Sequence, residues 1–465
     1  MWSAGSRLVL GRFASKDKTS VLISSLTAAA LHTSSTSRSI DSPVFCRGFK
    51  IVSIDHEPEN KILAVKWNDG KCGRYPYVWL RDTSPDPSTY TISDAMTARN
   101  LFMKNFDVEV VPKSTERAQD GSEVRMEWPC GTVSHFKSDW LRTRNISDPD
   151  TRQWRRKVYL NQPNTWGSEE ITARLKRFPF KTVMETDGGL HDFLEAVCVD
   201  GLAMLTNSPA TNGKTDRGAV SKIGERIGLI QQTHFGTVYE VSTKPDASNM
   251  AYANSGELPL HADFPSLTHP PELQMLHMIE RAETGGVSLF TDGFRIAELL
   301  KKEKPGVYKL LTTETLEYIE EGYDVHTPAY KRDSDALVQF DYDMCSRHKT
   351  ITLNDDGQPT TIRFGNAMRS WFYDMDVEKV LPMYRALKTF TDYCYQPRNL
   401  LHLQLENGDV VLWANTRLLH ARTAFKSYPG RSRTLEGCYF GWDFLRSRVR
   451  VLRDQLNLPD NQPSA

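Results

Sequence analysis

The chain carries two hydrophobic rhythms in different places. From Phe49 to about Asp139 the period is two. Apolar positions recur in Lys61-Ile62-Leu63-Ala64-Val65-Lys66-Trp67, Asn68-Asp69-Gly70 supplies turn residues, and Arg74-Tyr75-Pro76-Tyr77-Val78-Trp79-Leu80 reads as a second strand. This is the pattern of a β-hairpin, and it predicts a small N-terminal β domain over residues 49–145. Between about Thr143 and Pro179 the chain is polar and arginine-rich, with Pro163 and Gly167, and reads as a connection. A larger domain over 165–456 mixes both periods. Ser221 to Ile230 reads as a helix; Phe294 to Glu303 follows Asp292-Gly293 as a capped helix and stops before Pro305; Val377 to Tyr393 has apolar residues at three- and four-residue spacing. Short strands separated by turns make up most of the rest: Lys349 to Leu353, Thr360 to Phe364, Leu401 to Leu405 and Val410 to Ala414. The pattern predicts a mainly β fold with covering helices, a double-stranded β-helix or jelly roll of the cupin type.

At 465 residues the chain has room for more than one core. Its 58 basic and 58 acidic residues cancel, so no net charge recruits nucleic acid or an anionic surface. Apolar runs are too short for a membrane span. A small-molecule partner fits this balance, with neither nucleic acid nor membrane. The seven cysteines are scattered, with no C-x-x-C pair, which suits free thiols in a reducing compartment. Residues 1–45 differ from the rest: Arg7, Arg12, Lys16, Lys18 and Arg38 stand among many Ser and Thr, with Asp17 and Asp41 the only acids. That composition predicts a mitochondrial transit peptide, with a cytoplasmic location the alternative.

Chemistry concentrates at His261-Ala262-Asp263. Strand spacing puts positions i and i+2 on one face, so both side chains can point the same way. His420, after the strand-like Val410 to Ala414, is the candidate third ligand. Two imidazoles and one carboxylate on one face of Fe(II) leave positions for an oxo-acid and dioxygen. Arg433, before the strand-like Thr434 to Tyr439, could hold the far carboxylate of an oxo-acid through a two-pronged hydrogen-bond pair, and Ser288, after Gly285-Gly286, could add a donor. A lone buried histidine is more often a satisfied core residue. The order of these four elements argues against that reading here.

At these residues the chain resembles the 2-oxoglutarate-dependent oxygenases of the taurine-dioxygenase superfamily. The resemblance is carried by Tyr77-Val78-Trp79-Leu80-Arg81-Asp82, Leu260-His261-Ala262-Asp263-Phe264-Pro265, Thr284-Gly285-Gly286, Asp292-Gly293-Phe294, Leu418-Leu419-His420, Arg433-Thr434-Leu435-Glu436-Gly437 and Trp442 to Arg448. It implies that His261, Asp263 and His420 hold Fe(II), that Arg433 and Ser288 hold 2-oxoglutarate, and that dioxygen is the second co-substrate, with ascorbate as reductant. It implies hydroxylation of γ-butyrobetaine to L-carnitine, with trimethyllysine hydroxylation, earlier in the same pathway, as the alternative. A jelly-roll binding module without activity is the rival from another class. A quaternary ammonium has no N–H to donate, so aromatic faces must recognise it. The resemblance implies Phe235, Tyr239, Tyr252 and Tyr439 for that role, and Asn249 for the substrate carboxylate. It also implies a homodimer.

Two positions depart from the family. The family's small domain holds zinc through three cysteines and a histidine, whereas Ser84, Asp86, Thr89 and Thr132 stand here, so no zinc is expected. Cys72, Cys130 and His135 lie near in sequence without a zinc spacing. Gly365-Asn366 replaces two consecutive asparagines that contact the substrate. The Arg446, Arg448, Arg450 and Arg453 series reads as the solvated face of a C-terminal helix or a subunit contact, with Val449 and Leu452 on the packed side.

Overall fold

A computed structural model describes residues 48–92, 97–159, 163–209, 218–243, 254–326 and 338–458. The predicted transit segment, Tyr252 and Asn249 lie outside them. The chain divides into two units, Met1–Thr143 and Arg144–Ala465.

In the first unit, Ile51–Glu57, Ile62–Trp67 and Cys72–Pro76 form one antiparallel sheet, and Ser114–Arg117, Glu123–Glu127 and Val133–Lys137 form another. The hairpin at Asn68-Asp69-Gly70 forms, but its second strand stops at Pro76 and Tyr77–Thr83 is a helix. The expected strand through Leu80 is therefore corrected. Pro76 has no N–H to continue the ladder, and Tyr77, Leu80 and Arg81, three and four residues apart, bury one helical face. Trp67, Tyr75, Trp128 and Phe136 fill the core, and each indole and phenol keeps a partner: Trp67 Nε1 donates to Ser138 Oγ at 3.1 Å, Trp128 Nε1 to Ser134 Oγ at 2.9 Å, and Tyr75 Oη to the Leu141 carbonyl at 2.7 Å.

The stretch read as a connection between the domains is largely helical: Pro149–Tyr159 and Ser168–Arg174, then the edge strand Arg177–Pro179. Side-chain oxygens close these helix starts. Asp148 accepts from the Asp150 N–H, and Glu170 reaches back to the Gly167 N–H at 3.0 Å.

The second unit is built around two sheets. One has six strands in the order Tyr239–Ser242, Thr434–Phe440, Leu273–Glu280, Val410–Ala414, Leu202–Thr206 and Arg177–Pro179; the other has four, in the order Leu258–His261, Leu418–Arg422, Ser288–Asp292 and Leu400–Leu403. Strand alternation sorts their side chains. In Thr434–Phe440, Leu435 and Tyr439 face a cavity while Cys438 and Phe440 pack with Leu190, Phe193, Val220, Ile223 and Val449 of helices Asp187–Asp200, Ala219–Ile227 and Trp442–Gln455. In Leu418–Arg422, His420 and Arg422 face the cavity while Leu419 and Ala421 join Phe294, Ile296 and Phe390 of helices Gly293–Glu303 and Val377–Cys394. Asp292 caps the first of these helices through the Phe294 N–H at 3.0 Å and pairs with buried Arg417 at 2.7 Å, so Asp292-Gly293-Phe294 is a structural motif. Among the described residues no helix is long and apolar enough to cross a membrane.

Candidate metal centre and its pocket

His261 ends the strand Leu258–His261, and its register partner across the sheet is His420. The pairing brings the rings to 4.2 Å between centroids. His420 comes after the strand Val410–Ala414, as read, and sits in the middle of its own strand, Leu418–Arg422, because Asn415-Thr416-Arg417 turns the chain between them. Asp263 lies two residues past the strand end, held on both sides of its backbone. Its N–H donates to Asn415 Oδ1 at 2.8 Å, Asn415 Nδ2 donates to its carbonyl at 3.0 Å, and Phe264 takes a left-handed φ of 57°. A turn locked by Asn415, with no strand continuing, aims this carboxylate.

Asp263 Oδ1 is 3.2 Å from His261 Nε2 and 3.6 Å from His420 Nε2. These three donor atoms lie within 4.8 Å of one another, close enough for one metal ion. His261 Nδ1 donates to the Pro259 carbonyl at 2.8 Å and so directs Nε2 at Asp263; burial pushes this imidazole's pKa down, but the Asp263 carboxylate and the Pro259 carbonyl outweigh it and raise it, and a bound ion would take Nε2 in place of its proton. Tyr439 Oη donates to the other Asp263 oxygen at 2.7 Å. Burial pushes the Asp263 carboxyl up, but the neighbouring His420 and His261 and the Tyr439 hydroxyl outweigh it and hold the group well below the usual carboxylate range. Burial, reinforced by the neighbouring His261, pushes His420 down to about 3 and keeps its imidazole neutral. An ionised carboxylate beside a neutral imidazole is the donor set that a divalent ion requires, so these residues fit ferrous iron.

The triad opens into a cavity of about 470 Å³ between the two sheets. Ser288, Arg433, Phe235, Tyr239, Tyr439, Gly365 and Asn366 line it too, so every described residue singled out from the sequence for metal, oxo-acid or substrate comes to one place. Arg433 is buried, its Nε has no hydrogen-bond partner among the described residues, and burial and then the Arg422 charge push it down to about 10. Gly286 explains how it fits: with φ 67°, a Cβ there would meet Arg433 Nε at 3.2 Å. Phe425 carries both arginines, with Arg422 4.7 Å and Arg433 5.4 Å from its ring centroid.

The aromatic wall is larger than the sequence suggested. Tyr239 stacks on Tyr439 at 5.1 Å, Phe235 lies 5.6 Å from Tyr239, and Phe264 is edge-on to Tyr439 at 5.3 Å. Gln274 Nε2 donates to Tyr239 Oη at 3.0 Å. The Tyr439 hydroxyl is committed to Asp263, so this ring joins the metal centre to the aromatic wall. Arg422, Asn415, Glu320 and Tyr342 went unnoticed in the sequence, and Phe264 was read only as part of the Leu260 to Pro265 segment. Arg422 had a legible signal, since it stands two residues after His420 on one strand face. Glu320 and Tyr342 come from the long hairpin of Thr315–His326 and Val338–Lys349, and no local motif marks them.

In the first unit, buried Arg81 contacts two of the four positions where the resemblance implies zinc ligands in the family. Its guanidinium donates to Thr89 Oγ1 at 3.1 Å, Thr132 Oγ1 at 3.3 Å and Cys130 Sγ at 3.7 Å, while the Ser84 hydroxyl donates to Asp86.

Residues 161–439 match the family model "Taurine catabolism dioxygenase TauD, TfdA family", and residues 54–142 match "Gamma-butyrobetaine hydroxylase-like, N-terminal". The chain is 34% identical to the gamma-butyrobetaine dioxygenase of Pongo abelii, covering 85% of this chain and 95% of that one, and 34% identical to the human protein of the same name with the same coverage. It is 28% identical to the mitochondrial trimethyllysine dioxygenase of Mus musculus, covering 82% of this chain and 84% of that one. The chain belongs to the TauD/TfdA family of Fe(II)- and 2-oxoglutarate-dependent dioxygenases and is an enzyme of that family.

Proposed function

We propose that the chain hydroxylates γ-butyrobetaine to L-carnitine, with 2-oxoglutarate and dioxygen as co-substrates. The observation that carries this reading is that the His261–Asp263–His420 cluster shares one cavity with buried Arg433 and an aromatic wall. The names of the more similar relatives support it over trimethyllysine.

In this reading His261, Asp263 and His420 hold Fe(II), which when bound activates dioxygen at the expense of the oxo-acid and delivers oxygen to a C–H bond. Arg433 receives the distal carboxylate of 2-oxoglutarate through paired N–H donors, with Ser288 beside it. Burial of Arg433 makes that pairing strong, because a buried cation gains most from an arriving anion. Phe235, Tyr239 and Tyr439 with Phe264 and Tyr342 exclude water from the reacting carbon and turn ring faces to the trimethylammonium, an attraction worth about 2 kcal/mol when desolvated. Asn366 takes a substrate-carboxylate contact; the roles that the resemblance gives Tyr252 and Asn249 fall outside the described residues. The strands pair as a jelly roll of the cupin type. Ascorbate serves as reductant, zinc is not needed in the first unit, residues 1–45 direct the chain to mitochondria, and the enzyme works as a homodimer.

Supplying purified protein with Fe(II), 2-oxoglutarate and each betaine in turn tests the choice. Succinate should form with γ-butyrobetaine well above the level without substrate. Turnover of trimethyllysine alone would contradict the assignment, and no substrate-dependent succinate with either would favour a binding module without activity.

A further inference from the structure

Three neighbouring strands bring one amide to the hydroxyls of two cavity rings. Gln274 of Leu273–Glu280 is buried, lines the cavity, and is the register partner of Tyr439 on one side and of Trp413 on the other. Tyr239 begins the outer strand, Tyr239–Ser242, opposite Gly437, and its ring lies across that glycine: a Cβ at Gly437 would meet Tyr239 Cζ at 2.7 Å. The ring thereby crosses the strand Thr434–Phe440 and reaches Gln274. Gln274 Nε2 donates to Tyr239 Oη at 3.0 Å and, more weakly, to Tyr439 Oη at 3.5 Å. The Tyr439 hydroxyl in turn donates to Asp263 Oδ2 at 2.7 Å.

The direction of this path follows from counting donors. A phenol has one proton, and Tyr439 gives it to a carboxylate, which as a metal ligand can only accept. The Tyr439 oxygen is left with lone pairs, so a group that approaches it from the other side must donate. The amide nitrogen of Gln274 meets that requirement, whereas an amide oxygen there would set lone pair against lone pair. The path also sorts the two carboxylate oxygens: Oδ2 is taken by Tyr439, and Oδ1 is the one that faces His261 Nε2 and His420 Nε2. We propose that Gln274 is a positioning residue with two effects: its N–H donors hold Tyr439 in the orientation that reserves Oδ1 of Asp263 for the metal, and they seat Tyr239 in the aromatic wall. The second effect rests on the trimethylammonium reading of the pocket; the first does not.

The test is anaerobic calorimetry on the full chain, with Fe(II) titrated first and γ-butyrobetaine after loading with Fe(II) and 2-oxoglutarate. Gln274→Leu is compared in the wild-type and Tyr439→Phe backgrounds as a double-mutant cycle. In the wild-type background it should weaken Fe(II) binding roughly 2- to 10-fold, the worth of one hydrogen bond between neutral groups. In the Tyr439→Phe background it should change Fe(II) affinity no further, because the path from Gln274 to the carboxylate is already cut. Binding of γ-butyrobetaine should weaken in both backgrounds, since Tyr239 loses its donor in either. Equal losses of iron affinity in the two backgrounds would show that Gln274 only packs and would overturn the proposal, as would an unchanged iron affinity in Gln274→Leu. Should Gln274→Leu fail to fold, Gln274→Asn, which withdraws the amide by one methylene, goes through the same comparison and the same outcomes decide. A wild type that binds iron but no γ-butyrobetaine would bring down the trimethylammonium reading and the seating of Tyr239 with it, while the iron comparison still decides the hold of Gln274 on Asp263.

Discussion

Single side chains decide how this centre is poised. Tyr439 touches Asp263 through its hydroxyl and the aromatic wall through its ring. Tyr439→Phe keeps the ring and deletes one hydrogen bond to a metal-ligating carboxylate, so Fe(II) affinity should fall about 10- to 100-fold. The apparent γ-butyrobetaine constant should move much less; titration of each ligand separates the two, and an unchanged iron affinity would deny Tyr439 this role. His277 is a second case. It is fully buried and neither ring nitrogen has a hydrogen-bond partner among the described residues, and burial pushes it from 6.5 down to about 4. Between those values the unfolded chain takes up a proton that the folded chain refuses, so folding stability falls as pH drops through the window, by up to about 3 kcal/mol from this residue. Denaturation midpoints measured at pH 7 and pH 5 should therefore differ less in His277→Leu than in the wild type. A larger difference in the variant would show that His277 is not the group responsible.

At the scale of elements, the Gly285-Gly286 turn sets the space around Arg433. Gly285 has φ 71°, and a Cβ there would lie 2.1 Å from the Ala424 carbonyl oxygen, against a strand it pairs with. Gly285→Ala should cost about 1–3 kcal/mol of stability through backbone strain. For Gly286→Ala the nearest atom is Arg433 Nε, so the larger effect should be on the 2-oxoglutarate KM. Thermal melts and steady-state kinetics on the pair distinguish the two outcomes. Much of this scale was legible in the sequence: Thr434–Phe440 and Val410–Ala414 form strands as read, and Asp292 caps the helix that its position predicted. The errors have local causes. Tyr77 to Leu80 is rich in β-formers, yet Pro76 ends the ladder and tertiary burial of Tyr77, Leu80 and Arg81 favours a helix. Thr143 to Pro179 is polar enough to pass for a linker, and its helices stand on side-chain caps.

For the whole molecule, the metal centre is a product of strand pairing. His261-Ala262-Asp263 was visible as a triplet, but the register that sets His261 against His420 is a long-range property, and Glu320 and Tyr342 reach the cavity on a hairpin that carries no motif. The first unit stands on its own aromatic core, with Arg81 bonded to Thr89 and Thr132 where relatives place zinc ligands. Elemental analysis of protein reconstituted with both metals should accordingly find iron without stoichiometric zinc, and one zinc per chain would contradict the substitution of that corner. The central claim is that one ferrous ion sits on His261, Asp263 and His420 with 2-oxoglutarate anchored by Arg433. Anaerobic titration with Fe(II) and then 2-oxoglutarate, followed by calorimetry, tests it most directly. The wild type should bind one Fe(II) per chain, His420→Ala should lose it, and Arg433→Ala should keep the iron while needing far more 2-oxoglutarate. Retention of wild-type iron affinity by His420→Ala, or of wild-type 2-oxoglutarate affinity by Arg433→Ala, would contradict the account.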